Sequence, residues 1–158
     1  MNKKEIDERG VVLYFAYGSN MNPERMRDRG VVFYSRQRLV LPGYTLKFNK
    51  IVSIPNAGAA NIIPDENGVV EGILYKVTVR GILNLDKYEH YPHEYDRITL
   101  SIPFEGKEYI EVKTYIAHQH KTRENLKPRG VYLDHLLTAE DLLSEDYYNQ
   151  LKLVETLD

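Results

Sequence analysis

Six or seven short runs rich in β-branched and aromatic residues, each closed by a turn signal, are packed into a chain of 158 residues. They are Val11 to Tyr17, Val31 to Val40, Tyr44 to Lys50, Ala59 to Ile63, Val69 to Val77, Tyr95 to Ile102 and Tyr109 to Ala117. The punctuation between them is Leu41-Pro42-Gly43, Pro55-Asn56-Ala57-Gly58, Pro64-Asp65-Glu66-Asn67-Gly68 and Phe104-Glu105-Gly106-Lys107, the last reading as a hairpin turn. So many strands in so few residues leave long unpaired edges if the sheet stays flat. A sheet that curls or closes into a small barrel is therefore expected.

Helical patterns interrupt and follow these strands. Pro23 to Gly30 carries proline at its start and glycine at its stop, and Arg80 to His90 spaces Ile82, Leu85 and Glu89 by three and four. Tyr132 to Leu143 and Glu145 to Leu157 complete the set, with Thr138 and Ser144 as candidate caps. The fold class is α+β, and Val69 to Val77 reads as a half-buried strand. One domain over 11–158 is expected, preceded by a charged tail over 1–10.

With 42% apolar residues the chain can bury one core, and with no cysteine it must do so without disulfides, thiol catalysis or thiolate-bound zinc. A net charge of -2 with interspersed signs offers nothing to nucleic acid or an anionic membrane. No run approaches the length of a membrane-spanning helix, so a cytoplasmic protein with a small-molecule partner is the expectation. Thirteen tyrosines stand against no tryptophan, which suits half-buried walls where a ring packs and a hydroxyl is bonded.

Two stretches carry candidate chemistry. Tyr17-Gly18-Ser19-Asn20-Met21-Asn22 turns a strand directly into a helix start. Glycine lets backbone approach a ligand, while Ser19, Asn20 and Asn22 can satisfy the free N–H groups of the first turn. The stretch lacks the glycine pair and the Lys-Ser/Thr of a triphosphate loop, which leaves a carboxylate as the anion it suits, or else a corner with ordinary caps.

The second stretch is Leu85 to Arg97, where the helical pattern ends at Glu89 before Pro92 and a strand. A carboxylate leaning from that helix end into a sheet interior loses solvation, and its pKa rises toward a value useful for proton transfer. A surface acid beside Lys87 is the plain alternative. His90 and His93 beside Glu89 and Glu94, with His118 and His120 further on, do not form a zinc spacing, and Ser19 is not in a nucleophile elbow. No metal and no cofactor is expected.

Taken together, Tyr14-Phe15-Ala16-Tyr17-Gly18-Ser19-Asn20-Met21 resembles the signature loop of the γ-glutamyl cyclotransferase family, which includes the γ-glutamylamine cyclotransferases and the AIG2-like proteins. Leu85-Asp86, Glu89, Pro92, Tyr95 and Arg97 are similar to the family's second signature, about seventy residues on. The run from Val131-Tyr132 to Leu142-Leu143, with Tyr148 and Leu151, resembles the tail of its longer members. The resemblance implies a small mixed β-barrel of six or seven strands, with flanking helices and a cavity at one end. It implies a cofactor-free reaction in which the α-amine of a γ-glutamyl group attacks its own γ-carbonyl, releasing an amine or amino acid and 5-oxoproline. Glu89 is then the general acid/base, and Tyr14, Phe15, Ala16, Tyr17, Gly18, Ser19, Asn20, Tyr95 and Tyr132 bind the substrate. The second signature leans toward γ-glutamylamine substrates and the tail toward γ-glutamyl amino acids, so the leaving amine stays open. A binding module of the same fold, without turnover, is the alternative from another class.

Overall fold

The computed structural model describes residues 10–105 and 108–158. The expected tail over 1–10 lies outside them except for Gly10, as do Gly106 and Lys107 of the expected hairpin turn. Five strands form one mixed sheet: β1 (Val11–Ala16), β2 (Phe33–Ile51), β3 (Gly58–Thr78), β4 (Tyr95–Phe104) and β5 (Glu108–Ala117). Their order is β2-β3-β1-β5-β4, with β1 and β5 parallel and the other neighbours antiparallel.

The α+β class holds, but the sheet has five strands rather than six or seven, and β2 and β4 remain its edges instead of closing a barrel. Two of the turn signals fall inside strands. Pro42 sits on edge strand β2, where a missing N–H is tolerated, and Gly43 (φ +84°) supplies the left-handed residue of a register shift. Opposite it, Asp65 to Gly68 bow out of β3 between the pairs Tyr44–Pro64 and Pro42–Val69, with Asn67 N donating to Asp65 Oδ1. Each proline–glycine break therefore bends one long strand instead of separating two.

Strand β1 is apolar throughout because it is covered on both faces. Val12, Tyr14 and Ala16 join a core with Met26, Ile82, Leu85, Leu136, Leu143 and Leu151 beneath the helices. Phe15 and Tyr17 point the other way, into a second core with Leu39, Ile62, Val70, Leu74, Ile102 and Val112. The same sandwiching buries Val70 through Tyr75 almost continuously, so the stretch from Val69 to Val77 is not the half-buried strand its alternation suggests.

Four α-helices pack on the first core: α1 (Pro23–Asp28), α2 (Val79–Tyr88), α3 (Gly130–Leu137) and α4 (Glu145–Lys152). Asn22, Thr78 and Ser144 cap α1, α2 and α4 by accepting the N–H of Glu24, Gly81 and Tyr147. Thr138 is no N-cap; it closes α3, its hydroxyl donating to His135 O. The last helix stops at Lys152, short of Leu157. Among the described residues no helix is long and apolar enough to cross a membrane.

One contact from the core reaches the loop after β1. The Tyr75 hydroxyl donates to Asn20 O at 2.8 Å and lies 3.2 Å from Met21 O. Tyr75→Phe keeps the ring and removes this bond, and is expected to lower stability by about 1 kcal/mol in urea unfolding.

Candidate active site

β1 ends at Ala16, Gly18 follows, and the chain winds into a single 3₁₀ turn over Ser19–Met21 before Asn22 caps α1. This turn forms one wall of a cavity of about 380 Å³. Tyr14, Tyr17, Gly18, Ser19, Asn20, Tyr95, Tyr132 and Glu89 all line it, so two stretches far apart in sequence meet at one hollow. Two expected residues do not line it. Phe15 is taken up by the second core, where it is fully buried, and Ala16 is packed into the first core with its carbonyl against Gly72.

Glu89 is the C-cap residue of α2, its amide bonded to Leu85 O at 2.9 Å, with His90 following in the left-handed region. Its side chain is only 16% exposed. Asn20 Nδ2 donates to Glu89 Oε1 at 3.2 Å and to the Tyr14 hydroxyl at 3.0 Å, while Asn20 Oδ1 accepts from Arg29 at 2.9 Å. Burial lifts the Glu89 carboxyl above the ordinary range, against the opposing pull of Arg29, the Asn20 bond, Lys50 and Arg25. Glu94, on the same wall, goes the other way, held down chiefly by its hydrogen bond from Lys50. Two carboxyls of one cavity are thus pushed apart in acidity, Glu89 toward the protonated form and Glu94 toward the ionised one.

The cavity also holds three cations that the two signatures did not point to: Arg25, Arg29 and Lys50. Arg29 is 3.5 Å from Glu89 Oε1 and lies over the Tyr88 ring. Lys50, near the end of β2, is buried, pairs with Glu94 and sits over the Tyr95 ring. Arg25 Nε donates to Ser19 Oγ at 3.1 Å, and its Nη1 lies 3.3 Å from His135 Nε2. One signal for the pair was present in the sequence: Arg25 in a short helix and Arg29 four residues on, at its C-cap, repel unless something negative faces them.

The tyrosine hydroxyls are largely bonded to backbone. Tyr95 donates to Ala60 O at 2.7 Å, Tyr132 accepts from Ala60 N at 2.9 Å, and Tyr17 donates to Tyr115 O at 2.5 Å. Arg97 is elsewhere, paired with Asp86 and stacked on Tyr91. The histidines do not gather: His118 stacks on His120, and among the described residues no three His, Asp or Glu side chains are placed to hold a metal ion.

With this geometry in view, the relatives are informative. Residues 14–134 match the family described as gamma-glutamyl cyclotransferase, AIG2-like. The chain belongs to that family. It is 31% identical over 160 residues to the Bos taurus gamma-glutamylcyclotransferase, covering 92% of this chain and 80% of that one. It is 29% identical over 145 residues to YkqA of Bacillus subtilis, covering 89% of this chain but only 51% of that protein, so the chain spans about half the length of this relative. The crystal structure of YkqA superposes with a TM-score of 0.80 at 26% identity, covering 92% of this chain and 56% of that one. A structure of a gamma-glutamyl cyclotransferase gives a TM-score of 0.78 at 25% identity, covering 94% and 90%.

Gly18 has a local reason to be glycine. A Cβ on Gly18 would lie 2.9 Å from the Ala60 Cβ and 3.2 Å from the Tyr132 hydroxyl. Gly18→Ala is expected to destabilise by about 1–3 kcal/mol, and Ala60→Gly in the same chain to recover part of that loss, read by thermal unfolding of the single and double variants.

Glu89 yields a second expectation. Because its folded pKa is raised, the ionised carboxylate works against folding at neutral pH, and the protonated form does not. Glu89→Gln should therefore raise the melting temperature at pH 7 to 8. The gain should shrink as pH falls through the raised pKa and vanish below the ordinary glutamate value.

Proposed function

We propose that this chain is a cyclotransferase that releases 5-oxoproline from a γ-glutamyl compound. The observation that carries the reading is the Glu89 carboxyl, buried at the cavity wall and hydrogen-bonded to Asn20 of the loop after β1. In the reaction, the α-amine nitrogen forms a bond to the γ-carbonyl carbon, and the bond from that carbon to the leaving nitrogen breaks. The amine must lose a proton and the leaving nitrogen must gain one. Glu89, lifted above the ordinary carboxyl range, takes the first and returns the second.

Closing a five-membered ring from a flexible chain is limited by folding the chain back, so a cavity that holds both ends supplies much of the acceleration. The first N–H groups of a 3₁₀ turn have no acceptor within that turn. The amides of Gly18, Ser19 and Asn20 would receive the oxyanion that develops on the γ-carbonyl oxygen. Arg29 and Asn20, both beside Glu89, would meet the α-carboxylate, because that group shares a carbon with the amine Glu89 must reach. Tyr95 and Tyr132 shape the wall around the acyl chain.

The test is 5-oxoproline release from a panel of γ-glutamyl amino acids and γ-glutamylamines. Glu89→Gln keeps shape and hydrogen bonding and removes the proton carrier, and is expected to lower kcat by about 10²–10⁴ with little change in KM. Release that persists in Glu89→Gln would remove Glu89 from the chemistry. Tight binding without release in the natural chain would favour the binding module.

A further inference from the structure

Of the cations lining the cavity, two have their charge answered by the protein. Arg29 faces Glu89, and Lys50 faces Glu94. Arg129, just beyond, pairs with Asp158. Arg25 differs: its side-chain partners are a serine hydroxyl and an imidazole, and among the described residues no carboxylate lies within ion-pair distance of it. That imidazole, His135, is itself discouraged from charging by burial and by Arg25 and Arg29. Glu89 and Asp28 act on Arg25 only from beyond contact, and a half-buried guanidinium with no carboxylate against it is poorly compensated until a ligand brings one.

Its position says which part of a ligand. Arg25 lines the main cavity and also a second hollow of about 200 Å³, which shares Arg25, Val52, Ala59 and Tyr132 with the first. Beyond that shared boundary the annex is mainly apolar, walled by Ile54, Ala57 and Val131, with Arg129 and His135 at its rim. If the α-amine must reach Glu89, the acyl group's own carboxylate lies on the Arg29 side. The leaving group projects away from the γ-carbonyl, toward Arg25 and the annex.

We propose that Arg25 is a specificity-determining residue that binds a carboxylate on the leaving group, and that the annex receives an apolar side chain of that group. The preferred substrates are then γ-glutamyl conjugates of α-amino acids with apolar side chains, rather than conjugates of simple amines. This rests on the cyclotransferase reading and adds the identity of the amine to it.

The experiment uses a matched pair, γ-glutamyl-leucine and the γ-glutamyl amide of 3-methylbutylamine, which is the same compound without the carboxylate. The natural chain is expected to favour the leucine conjugate in kcat/KM by roughly 30-fold, the worth of one charge-assisted contact. In Arg25→Met that ratio should fall to near one, and Arg25→Lys should restore part of it. Because Arg25 also holds Ser19, both rates are expected to drop, so the ratio is the readout. An unchanged ratio in Arg25→Met, or no preference in the natural chain, overturns the proposal.

Val131 is 61% exposed and so free to change. Val131→Asp should abolish preference for the leucine conjugate over the glycine conjugate while leaving the carboxylate preference; a natural chain without that leucine preference removes the annex from the proposal. Calorimetric binding of the matched pair to Glu89→Gln, with and without Arg25→Met, separates the two readings. If no 5-oxoproline is released but binding still discriminates through Arg25, the chemistry fails and the specificity stands; binding that ignores Arg25 fails the specificity.

Discussion

Asn20 is the joint on which the site depends. Its amide nitrogen donates to Glu89 and to Tyr14, its side-chain oxygen accepts from Arg29, and its backbone carbonyl accepts from Tyr75. No isolated turn could hold a carboxylate from a helix end sixty-nine residues later. Asn20 does so because β1 is clamped between β3 and β5 and buried on both faces, which leaves the loop at its end no freedom to drift. Local rigidity of the acid is therefore a product of the sheet order and not of the helix that carries it.

The charges around Glu89 settle into a graded arrangement. Desolvation alone would neutralise the carboxyl, and a tight bidentate arginine would pin it ionised. Arg29 stands at 3.5 Å and shares its contact with Asn20, so attraction offsets only part of the burial. Glu94, with Lys50 directly on it, illustrates the other limit. The spacing of Arg29 from Glu89 supplies an intermediate condition, the one the proposed proton carrier needs.

Much of this could be read from residue order, and what could not has identifiable causes. The strand-to-helix corner at Gly18, the hairpin arms, helix α2 and the inward lean of Glu89 all followed from local pattern and from family likeness. Local pattern failed where long-range pairing overrode it. Pro42-Gly43 and the segment from Pro64 to Gly68 look like chain reversals, yet their strands are paired on both sides of the irregularity and run through. The alternation that made Val69 to Val77 look half-exposed carried no sign of a second core waiting on the other face. Contiguity with the signature assigns Phe15 and Ala16 to the cavity, whereas both side chains are spent in core packing, Phe15 in the second core and Ala16 in the first. Arg25 in α1, Arg29 at its C-cap and Lys50 in β2 are brought to Glu89 only by folding.

The tyrosine-rich composition gains a physical meaning at this point. Tyr14, Tyr17, Tyr95, Tyr115 and Tyr132 line the cavity, and the hydroxyls of four of them reach the backbone or an acid that fixes a neighbouring element: Tyr17 on β5, Tyr95 and Tyr132 on Ala60 of β3, Tyr115 on Asp86 of α2. Burial raises the pKa of each of these phenols, so they remain neutral donors and acceptors across the whole range in which Glu89 titrates. Tryptophan offers only a donor and phenylalanine neither, so neither could accept the Ala60 amide as Tyr132 does. The wall thus stays chemically constant while one carboxyl within it changes charge, as the proposed proton transfer by that single group requires.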